Sequence, residues 1–183
     1  MASASLAGRV LVASTTLEDP NFLRTVVLIG LHGEEGALGL VLNRPSTSTV
    51  GAAVPELEEL VGEREAVFIG GPVRPSSIVM LAEFDDPAPA ALIVLGRIGL
   101  PAPDASLDDL AAATSRRRVY AGYAGWGEGQ LDAEIERGDW ITDDALPGDV
   151  FCEHPEQLWS SVLTRKGGRY ALLARMPLDP SLN

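Results

Sequence analysis

The side chains that could support nucleophilic or metal chemistry in this sequence are few: two histidines, His32 and His154, and one cysteine, Cys152. A zinc site needs three or four His, Cys, Asp or Glu ligands that converge on one point. Cys152 and His154 lie two positions apart and could share a face of an extended segment. We favour a buried thiol beside a histidine at a helix start, and a catalytic Cys–His pair is the less favoured alternative. We predict neither a metal site nor a cofactor.

Serine and carboxylate catalysis leave no recognisable pattern. The sequence lacks the Gly-x-Ser-x-Gly elbow that would present a nucleophilic serine on a strained turn. The 26 Asp and Glu residues leave a carboxylate site for a divalent cation open, but no spacing marks one. Pairs such as Glu34-Glu35 and Asp143-Asp144 are typical of solvated loops. We therefore assign no catalytic residue.

The glycine-rich segment 120–131 is the most distinctive feature of the chain. Its glycines follow a predicted strand and precede a predicted helix, as in phosphate-binding loops: Gly122, Gly125, Gly127 and Gly129. The spacing does not fit Gly-x-Gly-x-x-Gly, a P-loop would need Lys followed by Ser or Thr, and Glu128 would repel a phosphate. We therefore predict a structural turn that seats Trp126.

Residues at the ends of predicted strands form the candidate binding site. The set consists of Asn43, Arg44, Pro45, Gly70, Gly71, Pro72, Gly125 and Trp126. Arg44 would supply charge and bidentate hydrogen bonds, Trp126 a stacking face, and the glycines room for a ligand to approach closely. This interpretation requires the three turns to meet in one cleft, whereas scattered turns would indicate a structural role.

Hydrophobic periodicity and turn residues predict the elements that position these groups. The strands are expected at 9–14, 25–31, 37–43, 66–69, 78–82, 91–95 and 119–123, with Pro45 ending the third strand and a proline-rich connection at 101–104. Helices are expected at 54–61, 107–113, 130–137 and 155–166, with a further turn or two at 170–175. Because strands and helices do not alternate regularly, we predict an α+β fold in a single domain, 1–183, with a flexible N-terminal tail at about 1–7.

Charge and composition constrain the partners. The formal net charge is −12, and an acidic surface disfavours direct nucleic-acid binding, which depends on Lys and Arg neutralising phosphates. The only basic run, 116–118, is more typical of a solvated element end. No apolar run approaches the roughly 18 residues of a membrane span, and no secretory signal precedes the first strand. We expect a cytoplasmic protein without a membrane partner.

Several distinct short motifs follow one another in order and span nearly the whole chain. They are Asp19-Pro20-Asn21-Phe22, Glu35-Gly36-Ala37, the segment GLVLNRP at 39–45, Gly70-Gly71-Pro72-Val73, the segment 122–131, Trp140, and the terminal Pro180-Ser181-Leu182-Asn183. Together they resemble the bacterial YqgE/AlgH family. The resemblance implies an α+β fold with a bent, bifurcated, mostly antiparallel sheet that forms a pseudo-barrel flanked by short helices. The chain departs from the family pattern in Pro- and Ala-rich stretches near 87–91 and 101–105, which leaves those loop conformations open.

The resemblance implies no established catalytic activity, cofactor or catalytic residue. Some members carry the label of transcriptional regulator, which we discount as a statement of DNA contact because this chain is acidic and lacks a helix-turn-helix pattern. Our leading hypothesis is a cytoplasmic binding or regulatory domain rather than an enzyme, with an unidentified small molecule or protein as its partner. The alternatives are a metal-dependent hydrolase or transferase that uses carboxylates, and a transcriptional regulator that acts on DNA directly or through a partner.

Overall fold

The computed structural model describes residues 4–177, in which ten strands are joined by short helices. The strands are β1 (Arg9–Ala13), β2 (Val26–Gly33), β3 (Gly36–Val41), β4 (Pro45–Thr49), β5 (Ala66–Ile69), β6 (Val73–Phe84), β7 (Ala90–Leu95), β8 (Ile98–Pro101), β9 (Thr114–Trp126) and β10 (Trp140–Asp144). The helices are α1 (Val50–Ala53), α2 (Glu58–Val61), α3 (Leu107–Ala113), α4 (Gln130–Glu136), α5 (Pro147–Val150), α6 (Pro155–Lys166) and α7 (Arg169–Leu173), with a 3-10 turn at Pro55–Leu57.

The sheet is curled and bifurcated, and β9 is its centre. The strand order is β10-β1-β2-β3-β9-β6-β8-β7. The C-terminal end of β9, residues 124–126, pairs antiparallel with β3. Tyr120 and Ala121 of β9 pair in parallel with β5, which also pairs with β4. β9 bends at Gly122, whose φ of +71° is unfavourable for a residue with a Cβ. The bent, mostly antiparallel half-barrel with short helices confirms the predicted fold class.

Both faces of the first strands are buried, because successive side chains of a strand point to opposite sides. Val10 and Val12 of β1 pack on the side covered by α6, which contributes Trp159 and Val162. The intervening Leu11 and Ala13 pack on the other side. A third cluster packs α2 and α3 against β6 and β9. Leu131 of α4 belongs to the second cluster, so helices contribute to all three clusters.

Element boundaries are predicted best where turn residues coincide with apolar periodicity. β5, α3 and α6 match the predicted 66–69, 107–113 and 155–166. At the start of α3, the Ser106 side chain accepts a hydrogen bond from the Asp109 amide and so caps the helix. α6 starts at Pro155. Proline is favoured at this position because the amide hydrogen that it lacks would have no acceptor within the first turn of the helix.

Several expected boundaries are wrong. Pro45 begins β4 instead of only ending a strand, since proline is tolerated at the first residue of a strand. β8 (Ile98–Pro101) occupies part of the region assigned to a connection. β6 and β9 extend well beyond 78–82 and 119–123, because they pair with each other along polar residues that carry no apolar pattern. The last strand, β10, has no counterpart among the predicted elements.

The basic run 116–118 lies inside β9, so its assignment to a solvated element end is wrong. Arg116 Nε donates to Glu83 Oε2 at 2.6 Å, and this hydrogen bond keeps the pKa of Glu83 below its ordinary value. Arg118 donates to the Val150 carbonyl oxygen at 2.8 Å. The cations therefore join β9 to neighbouring strands and loops, and the run offers little free charge for a nucleic-acid phosphate.

The described part of the expected N-terminal tail is attached to the hairpin of β2 and β3. The Leu6 amide donates to His32 Nδ1 at 3.0 Å, and Ser5 Oγ donates to the His32 carbonyl oxygen at 3.1 Å. Residues 1–3 of the expected tail lie outside the described residues. Between residues 4 and 177, the structure has no helix that is long and apolar enough to cross a membrane.

Candidate functional site

Asn43 and Arg44 follow β3, and both are engaged with backbone groups of the segment 19–26. Asn43 Oδ1 accepts from the Val26 amide at 2.9 Å, and its Nδ2 donates to the Arg24 carbonyl oxygen at 2.9 Å. Arg44 donates to the carbonyl oxygens of Pro20, Asn21 and Leu23 at 2.7, 2.9 and 3.0 Å. Burial lowers the pKa of Arg44, and the carboxylate of Asp19 opposes that shift. Arg44 thus holds a loop in place. Its guanidinium N–H groups, which we expected to bind a ligand, donate to backbone carbonyl oxygens of that loop.

Replacing Arg44 with Lys tests this role. A lysine ammonium cannot reproduce the planar guanidinium that reaches three carbonyl oxygens together, so we expect a loss of about 1–3 kcal/mol in the free energy of unfolding. Urea denaturation measures the loss, and near-UV circular dichroism reports on the aromatic groups next to the loop. Arg64, an exposed arginine, provides the matched control as Arg64→Lys. Equal stability of the two variants would show that Arg44 does not hold the loop.

Gly70 and Gly71 lie where the sheet divides, and their lack of side chains permits the crossing. The Gly70 amide donates to the Ala121 carbonyl oxygen at 2.9 Å, and its own carbonyl oxygen accepts from Val41 at 2.8 Å. A Cβ at Gly70 would overlap the Gly122 carbonyl oxygen. Pro72 follows as the connection into β6. These residues are explained by the close approach of β9 without reference to a ligand.

Trp126 is the last residue of β9 and is buried, with only 6% of its surface exposed. Its indole Nε1 donates to Glu134 Oε2 at 2.8 Å, and the Trp140 Nε1 donates to the same oxygen at 2.8 Å. Phe22 stacks on Trp126 with ring centroids 6.2 Å apart and meets Trp140 edge-on at 5.5 Å. We call the three rings of Phe22, Trp126 and Trp140 the aromatic cluster, and Glu134 of α4 is the acceptor that it shares.

The predicted convergence of the turns is therefore indirect. Arg44 holds the loop that carries Phe22, and Phe22 packs against Trp126. The pocket that Trp126 lines is bordered by the β2–β3 hairpin, and neither Asn43 nor Arg44 contributes to its wall. The glycine turn predicted around Trp126 starts only after it, because Gly122 and Gly125 lie within β9. The geometry joins these segments through packed aromatic rings rather than through a shared open cleft.

An apolar cavity of about 160 Å³ lies inside the curl of the sheet. We call it the lumen, and strands β2, β3, β6, β7, β8 and β9 contribute to its wall. Apolar side chains form most of the wall, among them Leu28, Leu40, Val79, Leu81, Leu92 and Leu100. Among the wall residues that the structure describes, Tyr123 alone carries a polar side-chain group, and Leu31 and Leu38 are 49% and 42% exposed. An apolar interior with exposed leucines on its border suits a neutral, apolar group.

Gly30 lines the lumen, and Gly125 lies beside residues of its wall. A Cβ at Gly30 would meet the Leu38 carbonyl oxygen at 3.8 Å and Val94 Cγ2 at 4.0 Å, which are ordinary contacts. A Cβ at Gly125 would lie 3.7 Å from Leu38 Cδ2 and 3.7 Å from Tyr123 Cε2, so this predicted site residue borders residues of the lumen wall. A larger side chain at Gly30 would reduce the volume of the lumen.

The lumen was not among the expectations from sequence. The alternation of apolar residues in pairs such as Leu38 and Leu40, or Leu92 and Val94, indicates a shared strand face. It does not show whether that face is covered by a helix or left open. The difference depends on how far the sheet curls, which in turn depends on the pairing of β7 and β8 at its edge. β8 is absent from the predicted elements.

The residues tested for nucleophilic and metal chemistry do not assemble into a catalytic centre. Burial raises the pKa of the half-buried Cys152 thiol, which disfavours the thiolate that a nucleophile needs, while Arg118 acts in the opposite direction. His154 is the residue before α6, and its side chain is 67% exposed. Within residues 4–177 no group of three or more His, Cys, Asp and Glu side chains is arranged to hold a metal ion.

The chain is similar to a family of bacterial proteins over nearly its full length. The family model described as AlgH-like matches residues 10–171. The UPF0301 protein SCO2948 of Streptomyces coelicolor is 45% identical over 98% of this chain and 96% of its own length. A UPF0301 protein of Mycobacterium tuberculosis is 43% identical over 97% of this chain and 90% of its own length.

Two solved structures share the fold. The crystal structure of protein DIP2367 from Corynebacterium diphtheriae has a TM-score of 0.85 at 31% identity and covers 95% of this chain and 93% of its own. The solution structure of the AlgH protein from Pseudomonas aeruginosa has a TM-score of 0.70 at 29% identity and covers 98% of both chains. The motifs, the curled sheet and these matches agree, and the chain belongs to the AlgH-like, UPF0301 family.

Proposed function

We propose that this protein is a binding domain that takes a small, neutral, apolar molecule into the lumen. The observation that carries the proposal is the apolar wall of the 160 Å³ cavity, bordered by the exposed side chains of Leu31 and Leu38. Small β-barrels commonly use their interior to hold one ligand. The proposal involves no catalytic residue and no metal.

The size and chemistry of the lumen limit the ligand. Apolar cavities of about 150 Å³ stay dry and bind benzene or xenon, so the volume suits one aromatic ring or a short alkyl chain. A charged group would lose its hydration without finding a partner in the wall, which is strongly unfavourable.

A regulatory role would follow if occupation of the lumen changed the exposure of Leu31 and Leu38 to a protein partner. These side chains border the lumen and are 49% and 42% exposed. The net charge of −12 supports a partner other than nucleic acid. We place such a partner, like the domain itself, in the cytoplasm.

Filling the lumen with Gly30→Leu tests the proposal. The added side chain starts from ordinary contacts and extends into the cavity, so the variant should fold with at least the stability of the parent. Benzene, as a probe, should raise the melting temperature of the parent, because a ligand that binds only the native state stabilises it. We expect no such increase for Gly30→Leu in a thermal denaturation series.

The matched control is Gly33→Leu, a substitution in the same strand at a position where a Cβ has nothing within 4 Å. Gly33 does not line the lumen, so this variant should respond to benzene as the parent does. The proposal is wrong if benzene leaves the parent unchanged near its solubility limit. It is also wrong if Gly30→Leu, folded by circular dichroism, responds as strongly as Gly33→Leu.

A further inference from the structure

Another pocket, of about 490 Å³, lies where the end of β1 and strand β10 face the junction of α6 and α7. We call it the corner pocket. Lys166 and Arg169 lie on the helical side, and the hydroxyl side chains of Ser14, Thr16 and Thr142 lie on the strand side. It shares no wall residue with the lumen.

The charge of the corner pocket is opposite to that of the protein. The chain carries 26 acidic against 14 basic residues, yet among residues 4–177 the pocket wall contains Lys166 and Arg169 and no carboxylate. Among the described residues, Lys166 forms an ion pair with Asp143, and the distance from Nζ to Oδ1 is 3.9 Å. Asp143 does not line the pocket. A concave cationic site on an acidic surface favours small anions, because they can enter the site. Large polyanions are disfavoured, because the surrounding acidic surface repels them.

The pocket also has more hydrogen-bond donors than its own contacts use. Lys166 Nζ donates to the Thr142 carbonyl oxygen at 2.8 Å, although an ammonium carries three N–H groups. Arg169 Nη2 donates to the Tyr170 hydroxyl at 3.1 Å, and its guanidinium carries five N–H groups. Ser14 Oγ and Thr16 Oγ1 lie 2.8 Å apart, and since one hydrogen serves that bond, the other hydroxyl hydrogen is free to donate.

Tyr170 reports the electrostatic character of the pocket. The hydrogen bond from Arg169 is the main cause that lowers the pKa of the Tyr170 hydroxyl, and the charges of Arg169 and Lys166 act in the same direction. Lys166 Nζ lies 5.2 Å from the centre of the Tyr170 ring, and the Arg169 guanidinium lies 5.0 Å from it. Both cations thus favour negative charge at the same place.

Apolar side chains complete the pocket. Trp140, Ile141 and Leu173 contribute carbon surface beside the cations and hydroxyls. We propose that the corner pocket binds a small organic anion, a phosphate or carboxylate group attached to an apolar body, with Lys166 and Arg169 binding the anion. Charge-assisted hydrogen bonds to these donors provide most of the affinity, and the apolar wall selects ligands with a ring or short chain over the free inorganic ion.

We propose to titrate the parent protein at low salt and to follow binding by ¹H–¹⁵N NMR. The probes are phenyl phosphate, benzoate, inorganic phosphate and uncharged phenol. We expect saturable shifts of amides around Ser14, Thr142 and Arg169 with phenyl phosphate or benzoate, and weaker effects with inorganic phosphate and phenol. The stronger of the two organic anions identifies the anionic group. Arg169→Gln should weaken its binding by about fivefold or more, as the loss of a charge-assisted contact predicts.

Arg64→Gln removes an exposed arginine outside the pocket and serves as the control, with unchanged affinity expected. Because Arg169 is exposed, its replacement does not threaten the fold, and the NMR spectrum verifies this directly. The proposal is overturned if neither organic anion binds at millimolar concentration, or if Arg169→Gln and Arg64→Gln bind equally. It is also overturned if phenol binds as tightly as phenyl phosphate, since the cations would then contribute nothing.

Discussion

Gly71→Ala should destabilise this protein by more than about 3 kcal/mol, at the upper end of what single substitutions do. Gly71 has a φ of +153°, a conformation that residues with a Cβ rarely adopt, and an added Cβ would overlap the backbone of Tyr123 and Ala124. Backbone atoms of a central strand cannot move aside as the end of a flexible side chain can. The overlap must therefore be relieved by separating β9 from the chain that follows β5, where the sheet divides.

Urea denaturation followed by circular dichroism measures this effect, together with the yield of folded protein. Gly33→Ala is the matched control, because the same methyl group would have nothing within 4 Å of it and the φ of Gly33 is unexceptional. We expect the control to stay within about 1 kcal/mol of the parent. A Gly71→Ala protein as stable as Gly33→Ala would falsify the structural explanation of the Gly70-Gly71-Pro72 motif.

The sequence predicts the elements whose ends carry turn chemistry and misses those defined by distant pairing. α6 is predicted because Pro155 and Gly167 bound an apolar helical pattern, and these signals are local. β10 has polar residues over most of its length and exists because it pairs with β1, more than 100 residues earlier in the chain. No local pattern encodes that pairing, and the same holds for the extension of β6 and β9.

The predicted site shows a different limit of sequence reasoning. The residue types are suited to binding, but the donors of Arg44 contact backbone carbonyl oxygens of its own chain, and Trp126 is buried under Phe22. Arginine and tryptophan serve equally well to hold a loop or to hold a ligand, and sequence does not distinguish the two uses. The lumen, by contrast, consists of residues that are individually unremarkable, and only the curl of the sheet places them around a common space.

The aromatic cluster makes the second strong prediction, centred on Glu134. Its Oε2 accepts hydrogen bonds from the indole Nε1 of both Trp126 and Trp140, and its Oε1 accepts from Gln130 Nε2 at 2.9 Å. Glu134→Ala would leave two indole N–H groups, on tryptophans that are 6% and 3% exposed, without their acceptor. An unsatisfied buried donor costs about 1–3 kcal/mol, so for the two donors the expected loss in the free energy of unfolding is about 2–6 kcal/mol.

Glu136→Ala removes an exposed carboxylate from the same helix and should change stability by less than about 0.5 kcal/mol. NMR separates the specific effect from general loosening, because Trp159 Nε1 donates instead to the Ala13 carbonyl oxygen at 2.8 Å and provides an internal reference. In Glu134→Ala the indole resonances of Trp126 and Trp140 should move while that of Trp159 stays in place. If all three moved together, or if the two alanine variants were equally stable, Glu134 would not be the group that joins α4 to the aromatic cluster.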